Sequence, residues 1–289
     1  MVVTPVLESR DKILQSLSRL PPFSPVLNKV LASISQEDVS FAAISDFIES
    51  DTVLAGNILK IVNSAMHGRK GTVNSVRHAV SMLGMNKLRN AVLSMSIERM
   101  WRSVRTPPGW DMASFNLHSV SVGILCDVLA QRVRVEYAEG AFVAGLLHDV
   151  GRLLIAAAVP ADYLEVEKLY SLGGRSWCEC ETEILGFTHA EISAQALAMW
   201  NLPEPIRTAV GEHHSVIWRP GSASGAAIPL ATLVFAADEY VRHAGTAIEP
   251  NQSQTDTPDP LPFLTLAGEK AESVLAAWTT EVQAVGAFS

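Results

Sequence analysis

Seven side chains of metal-ligating type lie where the sequence predicts helix faces that point into the protein. They are His118, His148, Asp149, His189, His213, His214 and Asp238. Any one of them alone would be explained more simply as a hydrogen-bonded core histidine or a capping aspartate. Buried carboxylates and imidazoles are costly unless they bond to one another, to a metal or to a cation, so the whole set indicates a shared centre.

The donor atoms of this set are imidazole nitrogens and carboxylate oxygens, without a thiolate. That combination suits iron, manganese, zinc or nickel, and we favour iron. Because the set is larger than one ion needs, the sequence predicts one or two transition-metal ions, with Asp149 as the natural bridge between two. Two ions about 3.5–4 Å apart can hold a hydroxide and a phosphoryl oxygen, which is the geometry of phosphoester hydrolysis.

Helical periodicity runs through the whole chain and predicts an all-α fold with two helical lobes. His118 shares an apolar stripe with Val122 and therefore faces the interior. His148 follows Ala144 and Gly145 on a face of small residues, where another helix could approach closely. The positions of these two histidines predict that their helices meet near the centre.

The other ligands also lie at predicted helix positions. Thr188 and Glu191 have the spacing of a capping box, which predicts a helix that starts near His189. Asp238 ends the uncharged run 228–237 and needs a partner inside the protein.

Chain breaks suggest the organisation of the lobes. In the first third, Asp51 is predicted to cap one helix and Gly84 to end another. The run 106–109, Thr-Pro-Pro-Gly, interrupts the helical pattern and marks a lobe boundary. The expected organisation is an N-terminal helical lobe over 1–106, a second helical lobe over 107–243, a flexible linker over 244–263 and a C-terminal helix over 264–289.

Composition narrows the function classes. The chain of 289 residues has 22 basic and 30 acidic side chains, a net charge of −8 that argues against direct nucleic-acid binding.

The apolar stretch 138–160 contains His148, Asp149 and Arg152, so it is a poor membrane span. The N-terminal residues lack a basic segment followed by an apolar one, and the three cysteines are an odd number. We therefore expect a cytoplasmic protein with reduced thiols and no membrane contact.

Basic residues are concentrated between positions 67 and 105, where eight of them accompany one acid. The simpler interpretation is a set of solvated helix faces. The functional one is a docking surface for an acidic partner or a phosphate-bearing ligand. The residues assigned to that surface are Arg69, Lys70, Arg77, Lys87 and Arg89.

Three separated segments carry a family resemblance. They read IESDTVLAGNILKIVNSAMHG, AFVAGLLHDVGRLLI and ETEILGFTHAEISAQALAMWNLPEPIRTAVGEHH. A lone histidine, then His148-Asp149, then Asp238 resembles the signature of the HD superfamily of metal-dependent phosphohydrolases. The three segments together resemble its HDOD branch, over residues 20 to 216.

The resemblance implies a helical HD core in the second lobe and a role as an output module of bacterial signalling proteins. HDOD domains are generally regarded as having lost the catalytic metal site and as acting through protein contacts downstream of two-component or second-messenger signals. This sequence nevertheless keeps the ligand types. Since no receiver, kinase or DNA-binding motif is visible, a signalling partner would supply the input.

Two other function classes stay open. The first is a metal-dependent phosphohydrolase acting on a nucleotide or cyclic dinucleotide, in which Asp149 and the histidines hold the metals and Arg152 contacts phosphate. This chain departs from the related HD-GYP phosphodiesterases, which have lysine at the position of Arg152 and a Gly-Tyr-Pro motif that is absent here. Arginine does not replace a lysine point charge. The second class is a di-iron redox or oxygen-sensing site.

Overall fold

A computed structural model describes residues 3–17, 41–65, 73–216, 226–246, 248, 260–264 and 266–286. Within these ranges the chain is helical and has no β-strand, which confirms the all-α prediction. An isolated bridge joins Val135 to Ile228 and ties the turn after one helix to the start of another. Most of the expected linker 244–263 lies outside the described residues.

The α-helices of the described ranges are α1 (Val3–Leu17), α2 (Phe41–Ser50), α3 (Thr52–Ala65), α4 (Val76–Leu83), α5 (Met85–Trp101), α6 (Met112–Ala130), α7 (Ala141–Leu147), α8 (Val150–Ala158), α9 (Pro160–Ser171), α10 (Trp177–Leu185), α11 (His189–Met199), α12 (Glu204–Glu212), α13 (Leu230–His243) and α14 (Glu269–Gly286). Short 3₁₀ helices cover Ala138–Gly140 and Leu261–Leu264.

The chain divides into two compact units. The site unit contains α1 and residues 103–278, and it holds all the candidate metal ligands. The N-terminal unit contains α2 to α5 and residues 279–289. The expected N-terminal lobe included α1, but this helix packs on α8 and α11 of the site unit. Ile13 of α1 is fully buried there, and Arg10 bonds to Gln195 of α11.

Predicted helix ends in the N-terminal unit are confirmed. The Asp51 carboxylate accepts hydrogen bonds from the backbone N–H groups of Val53 and Leu54, both at 3.1 Å. Gly84, with φ of 76°, ends α4 in a backbone conformation that favours glycine. Both signals are local, which is why the sequence alone located them.

Close packing of small residues brings α6 against α7. A Cβ atom on Gly145 of α7 would lie 2.9 Å from the Cα atom of Gly123 in α6 and 2.8 Å from the Sγ atom of Cys126. The predicted close approach at the small-residue face is therefore confirmed. His118 lies before Gly123 on α6, and His148 follows α7, so this crossing holds the two histidines near each other.

Capping places α10 and α11. The Thr188 side chain accepts a hydrogen bond from the Glu191 N–H, as predicted, but the Thr188 N–H does not donate back to the Glu191 carboxylate, so the capping box is incomplete. Instead that carboxylate lies 3.5 Å from the Arg10 guanidinium of α1, so a tertiary ion pair replaces the local bond. A complete capping box forms one helix earlier, between Ser176 and Glu179 at the start of α10.

Two apolar helical segments, Met112–Ala130 and Ala138–Ala158, are long and hydrophobic enough to cross a membrane by composition. Most of each segment is buried inside the protein. Core helices of this kind pass the same test of length and hydropathy, so the finding is weak evidence for a membrane span.

A tight contact between α8 and α11 yields a stability prediction. A Cβ atom on Gly151 would lie 2.1 Å from the backbone oxygen of His189, and neither backbone can give way cheaply. We expect Gly151→Ala to lower the free energy of unfolding by about 3 kcal/mol or more, measured by urea denaturation. Gly56→Ala is the matched control, because Gly56 lies in α3 with nothing within 4 Å of its added Cβ. That change should raise stability by about 0.5–1 kcal/mol; equal stabilities of the two variants would contradict the contact.

Candidate metal centre

All seven candidate ligands meet in the interior of the site unit. His118 comes from α6, His148 and Asp149 from the junction of α7 and α8, His189 from the start of α11, His213 and His214 from the end of α12, and Asp238 from α13. Six of them are buried, and His214 is half-buried. Segments far apart in sequence therefore contribute to one cluster.

Asp149 lies in the middle of the cluster. Its Oδ1 atom is 3.1 Å from Nε2 of His189, 3.6 Å from Nε2 of His148 and 3.8 Å from Nε2 of His213. Both Oδ1 of Asp149 and Nε2 of His213 are buried, and although imidazole or carboxylate atoms lie within ion-pair distance, neither atom makes a hydrogen bond of good geometry among the described residues. A buried acceptor without a partner is costly, and a cation at this point would satisfy both atoms.

The remaining ligands fall into two halves around Asp149. The Asp238 half contains Asp238, His118 and His148. Oδ1 of Asp238 is 3.1 Å from Nε2 of His118 and 3.6 Å from Nε2 of His148. In the His189 half, which contains His189, His213 and His214, Nε2 of His189 is 3.0 Å from Nε2 of His214. Ligand atoms of Asp149 and the His189 half lie within 4.8 Å of one another, and so do those of His118, His148 and Asp149.

Four of the histidines are oriented by hydrogen bonds on the outer side of the ring. Their Nδ1 atoms bond His118 to the Thr246 carbonyl (2.7 Å), His148 to the Gly145 carbonyl (2.7 Å), His213 to the Val210 carbonyl (2.6 Å) and His189 to the Glu181 carboxylate (2.7 Å). Carbonyl and carboxylate oxygens only accept, so each Nδ1 carries the hydrogen. Each Nε2 is thereby turned toward the centre, which is the arrangement found in metal-bound histidines.

The residues present fit a pair of transition-metal ions. Asp149 with the Asp238 half would hold one ion, and Asp149 with the His189 half would hold the other. Both sets offer nitrogen and oxygen donors of the kind that iron, manganese, nickel and zinc accept. The orphaned atoms at the middle and the fixed Nδ1–H groups outside it support the same conclusion.

Electrostatics in the cluster favour ionised carboxylates. Burial by itself would raise the pKa of Asp149, but positive charge on His148 and His189 outweighs it and holds that pKa well below its usual range. Burial opposes ionisation of Asp238 as well, and Arg242 together with hydrogen bonds from histidines lowers its pKa well below the ordinary value. Both carboxylates are therefore available as anionic ligands.

The histidines divide into two protonation classes. Burial would lower the pKa of His189, but the carboxylates of Glu181 and Asp149 raise it well above the ordinary value. The pKa of His148 is also raised against the effect of burial, by Asp149 and Asp238. In the metal-free state the raised pKa values of His148 and His189 favour their protonated forms, which would pair with the nearby carboxylates.

At His213 and His214 the effect of burial prevails, and their pKa values are lowered. Burial lowers the pKa of His213, and the positive charge on His148 and His189 adds to this effect. The pKa of His214 falls well below its ordinary value for the same reasons, with His213 contributing. Both shifts favour the neutral imidazole, which presents a lone pair without first losing a proton.

Arg152 lies on the outer side of Asp149. Its Nη1 atom is 3.4 Å from Oδ2 of Asp149, and its guanidinium carbon is 4.3 Å from the centroid of the Trp177 ring. The side chain is buried. This position is consistent with a residue that holds Asp149, whereas the sequence suggested a phosphate contact.

The basic residues assigned to a docking surface are partly compensated. Arg77 lies 2.7 Å from Asp46, and Lys87 lies 2.6 Å from Glu281. Arg89 is half-buried. Arg69 and Lys70 lie outside the described residues. The described members of this set thus include two charges that already face carboxylates.

Sequence reasoning missed three groups that support the ligands. Glu181 bonds to His189, the Thr246 carbonyl bonds to His118, and Arg242 lies 3.3 Å from Asp238. Glu181 could have been noticed, because it follows Trp177 by one helical turn on the buried face of α10. A backbone carbonyl such as that of Thr246 leaves no signal in the residue types.

Comparison with known proteins gives the following similarities. The HDOD domain family matches residues 20–216. An uncharacterised protein of Treponema pallidum (strain Nichols) is 24% identical over 210 residues, which cover 72% of this chain and 40% of that protein. The chain therefore spans less than half the length of this curated relative.

Three solved structures share the helical fold. An HDOD domain protein of unknown function from Geobacter sulfurreducens has a TM-score of 0.74 at 20% identity, covering 98% of this chain and 97% of that one. A candidate phosphohydrolase from Shewanella amazonensis SB2B has a TM-score of 0.67 at 24% identity, with coverages of 96% and 97%. A candidate signal transduction protein from Marinobacter aquaeolei VT8 has a TM-score of 0.67 at 21% identity, with coverages of 98% and 65%.

Proposed function

Because the chain belongs to the HDOD domain family, we propose that it is a signal-transduction output module whose site unit holds a dinuclear transition-metal centre. The observation that carries the proposal is the set of four histidines whose Nδ1–H groups are bound on the outside while their Nε2 atoms face Asp149 and Asp238. The similarity to a candidate signal transduction protein supports the signalling role.

The residues of the two halves would bind the ions and, through them, join the helices of the site unit. The Asp238 half and the His189 half would each bind one ion, and Asp149 would contribute to both. When bound, the ions supply positive charge and Lewis acidity. Since the ligands come from α6, the α7–α8 junction, α11, α12 and α13, an occupied centre would join these elements into one rigid body that a partner protein recognises.

Phosphoester hydrolysis at the same centre is the second candidate. It is favoured by the half-exposed His214, the member of the cluster closest to solvent, and by the small number of protein ligands for each ion. Ions that prefer six ligands would keep positions open for a phosphoryl group. The similarity to a candidate phosphohydrolase is consistent with hydrolysis. Arg152, the residue predicted to contact phosphate, is buried against Trp177, which does not favour it.

Metal analysis tests the proposal first. We expect protein purified without a histidine tag to carry between one and two transition-metal ions per chain, and His148→Ala to lose the ion of the Asp238 half. His148 lies 3.6 Å from both Asp149 and Asp238, so its removal takes a nitrogen donor from that half. His78→Ala is the matched control, because His78 is exposed on α4 in the other unit and should leave the metal content unchanged. A metal-free, folded wild-type protein would contradict the proposal.

Activity measurements on the metal-loaded protein then separate the function classes. The probes are a cyclic dinucleotide, a nucleoside phosphate and a generic phosphodiester. Turnover that disappears in His148→Ala would favour the hydrolase over the output module. An absorption spectrum that changes with oxygen would favour the redox class. Stable metal without either property supports the signalling role.

A further inference from the structure

Glu181 of α10 is a buried acid whose two oxygens are both engaged. Its Oε2 atom accepts hydrogen bonds from the backbone N–H of His189 at 2.8 Å and from the ring Nδ1 of the same residue at 2.7 Å. Its Oε1 atom accepts from the indole N–H of Trp177 at 2.8 Å. The side chain is only 2% exposed, so these protein donors replace water around the carboxylate.

The same helix also reaches the other side of the centre. Trp177, one turn before Glu181, stacks its ring against the guanidinium of Arg152, and Arg152 lies 3.4 Å from Oδ2 of Asp149. Oδ1 of Asp149 in turn lies 3.1 Å from Nε2 of His189. These contacts form a closed ring of five side chains from three segments, and two of its members are candidate metal ligands.

We propose that Glu181 is a positioning residue of the metal centre, which orients His189 toward the second ion and, through Trp177 and Arg152, helps to fix Asp149. This inference rests on the proposed dinuclear site. It assigns a role to α10, which contributes no ligand to either half of the cluster.

The chemistry of the acceptor distinguishes His189 from the other oriented histidines. His118, His148 and His213 each donate Nδ1–H to a neutral backbone carbonyl, whereas His189 donates to a carboxylate. A carboxylate partner raises the basicity of the imidazole and fixes which nitrogen faces the metal. Glu181 therefore acts on the His189 half selectively.

A glutamine at this position cannot reproduce the arrangement. Three N–H groups donate hydrogen bonds to the two oxygens of Glu181. All three find an acceptor because both oxygens of a carboxylate accept hydrogen bonds. The glutamine amide has one oxygen and one NH₂ group. In either orientation, its NH₂ group must face the Trp177 N–H or the two donors of His189.

The test is a titration of metal-free protein with Co²⁺, whose visible absorption follows the two binding steps. Binding to the Asp238 half is the step that His118→Ala weakens, because this variant removes a ligand from that half only. We expect Glu181→Gln to weaken the other step about 10–100-fold and to alter its spectrum, while changing the Asp238 step much less, because Glu181 reaches that half only through Asp149. Glu183→Gln is the matched control, since Glu183 lies on the same helix, is exposed and pairs with Arg175 at the surface.

Each outcome separates the inference from the function it depends on. Equal titrations of Glu181→Gln and wild type would overturn the role of Glu181 and leave the dinuclear site standing. Equal weakening of both steps, with a lower thermal midpoint of the metal-free protein, would show a structural role and overturn it as well. No Co²⁺ binding by wild type would overturn both proposals. If Glu181→Gln fails to fold, Trp177→Phe decides: it removes one donor to Glu181, keeps a ring against Arg152 and should weaken the same step to a smaller degree.

Discussion

We expect Asp149→Asn to abolish binding of both metal ions of the proposed centre, whereas loss of a ligand confined to one half should abolish binding of one. The reason is geometric, because Oδ1 of Asp149 lies 3.1 Å from His189 in one half and 3.6 Å from His148 in the other. Asparagine keeps the shape but loses the negative charge that both ions would share. We expect the apparent affinity of both steps to fall by on the order of 100-fold or more, beyond the 10–100-fold typical when only the outer partner of a ligand is removed.

The measurement combines metal content after gel filtration with the Co²⁺ titration. The controls are His118→Ala, which affects the Asp238 half, and His214→Ala, which affects the His189 half. Each of these should retain one binding step. If Asp149→Asn also retains one step at wild-type affinity, Asp149 does not bridge the halves and the centre consists of two independent sites.

Local sequence patterns were sufficient to find the helices and the faces that carry the ligands. The apolar stripe of His118 predicted its buried face, and the small residues before His148 predicted a close helix approach, which the Gly145–Gly123 contact confirms and assigns to α6. Helical periodicity specifies which side of an element is buried, and a capping residue specifies where it starts. Both depend on residues a few positions apart, so one sequence suffices to recognise them.

The groups that support the ligands required the three-dimensional structure. The partner of His118 is a carbonyl 128 positions away in the chain, and backbone atoms carry no residue type. Arg152, for which the sequence predicted a phosphate contact in the enzyme case, is buried against Trp177 and lies 3.4 Å from Asp149, and that position also required the structure. The ion pair of Glu191 with Arg10 likewise replaced a local capping bond. The His118–Thr246, Arg152–Trp177 and Glu191–Arg10 contacts each join segments distant in the sequence, which local patterns do not reveal.

We expect the stabilisation of the protein by bound metal to increase as the pH rises above about 6.5. In the metal-free protein the pKa values of His148 and His189 are raised, so their contribution to stability is fully present below the ordinary histidine pKa and is lost as pH rises through the folded values. The pKa values of His213 and His214 are lowered, so stability also falls as the pH drops below that ordinary value. Metal-free stability should therefore peak near pH 6.5.

The carboxylates act at lower pH. The depressed pKa values of Asp149 and Asp238 contribute stability that is present above the ordinary aspartate range and lost as pH falls through their folded values. Protonation of Asp149 and Asp238 therefore adds to the loss of stability in acid. It does not change the fall in metal-free stability above pH 6.5, because both carboxylates stay ionised there.

A bound metal must displace the protons on His148 and His189, and this requirement sets the sign of the pH effect. While such a proton is present, each unit of pH increases the apparent metal affinity about tenfold, or about 1.4 kcal/mol for each proton displaced. We expect the gap between the free energies of unfolding in urea with excess metal and with a chelator to widen as the pH rises above about 6.5. Asp149→Asn should show no such widening, because it no longer retains the ions. A gap that is constant with pH in the wild-type protein would mean that the metal does not bind through these protonated histidines, and the cluster would then be a hydrogen-bonded core of imidazoles and acids.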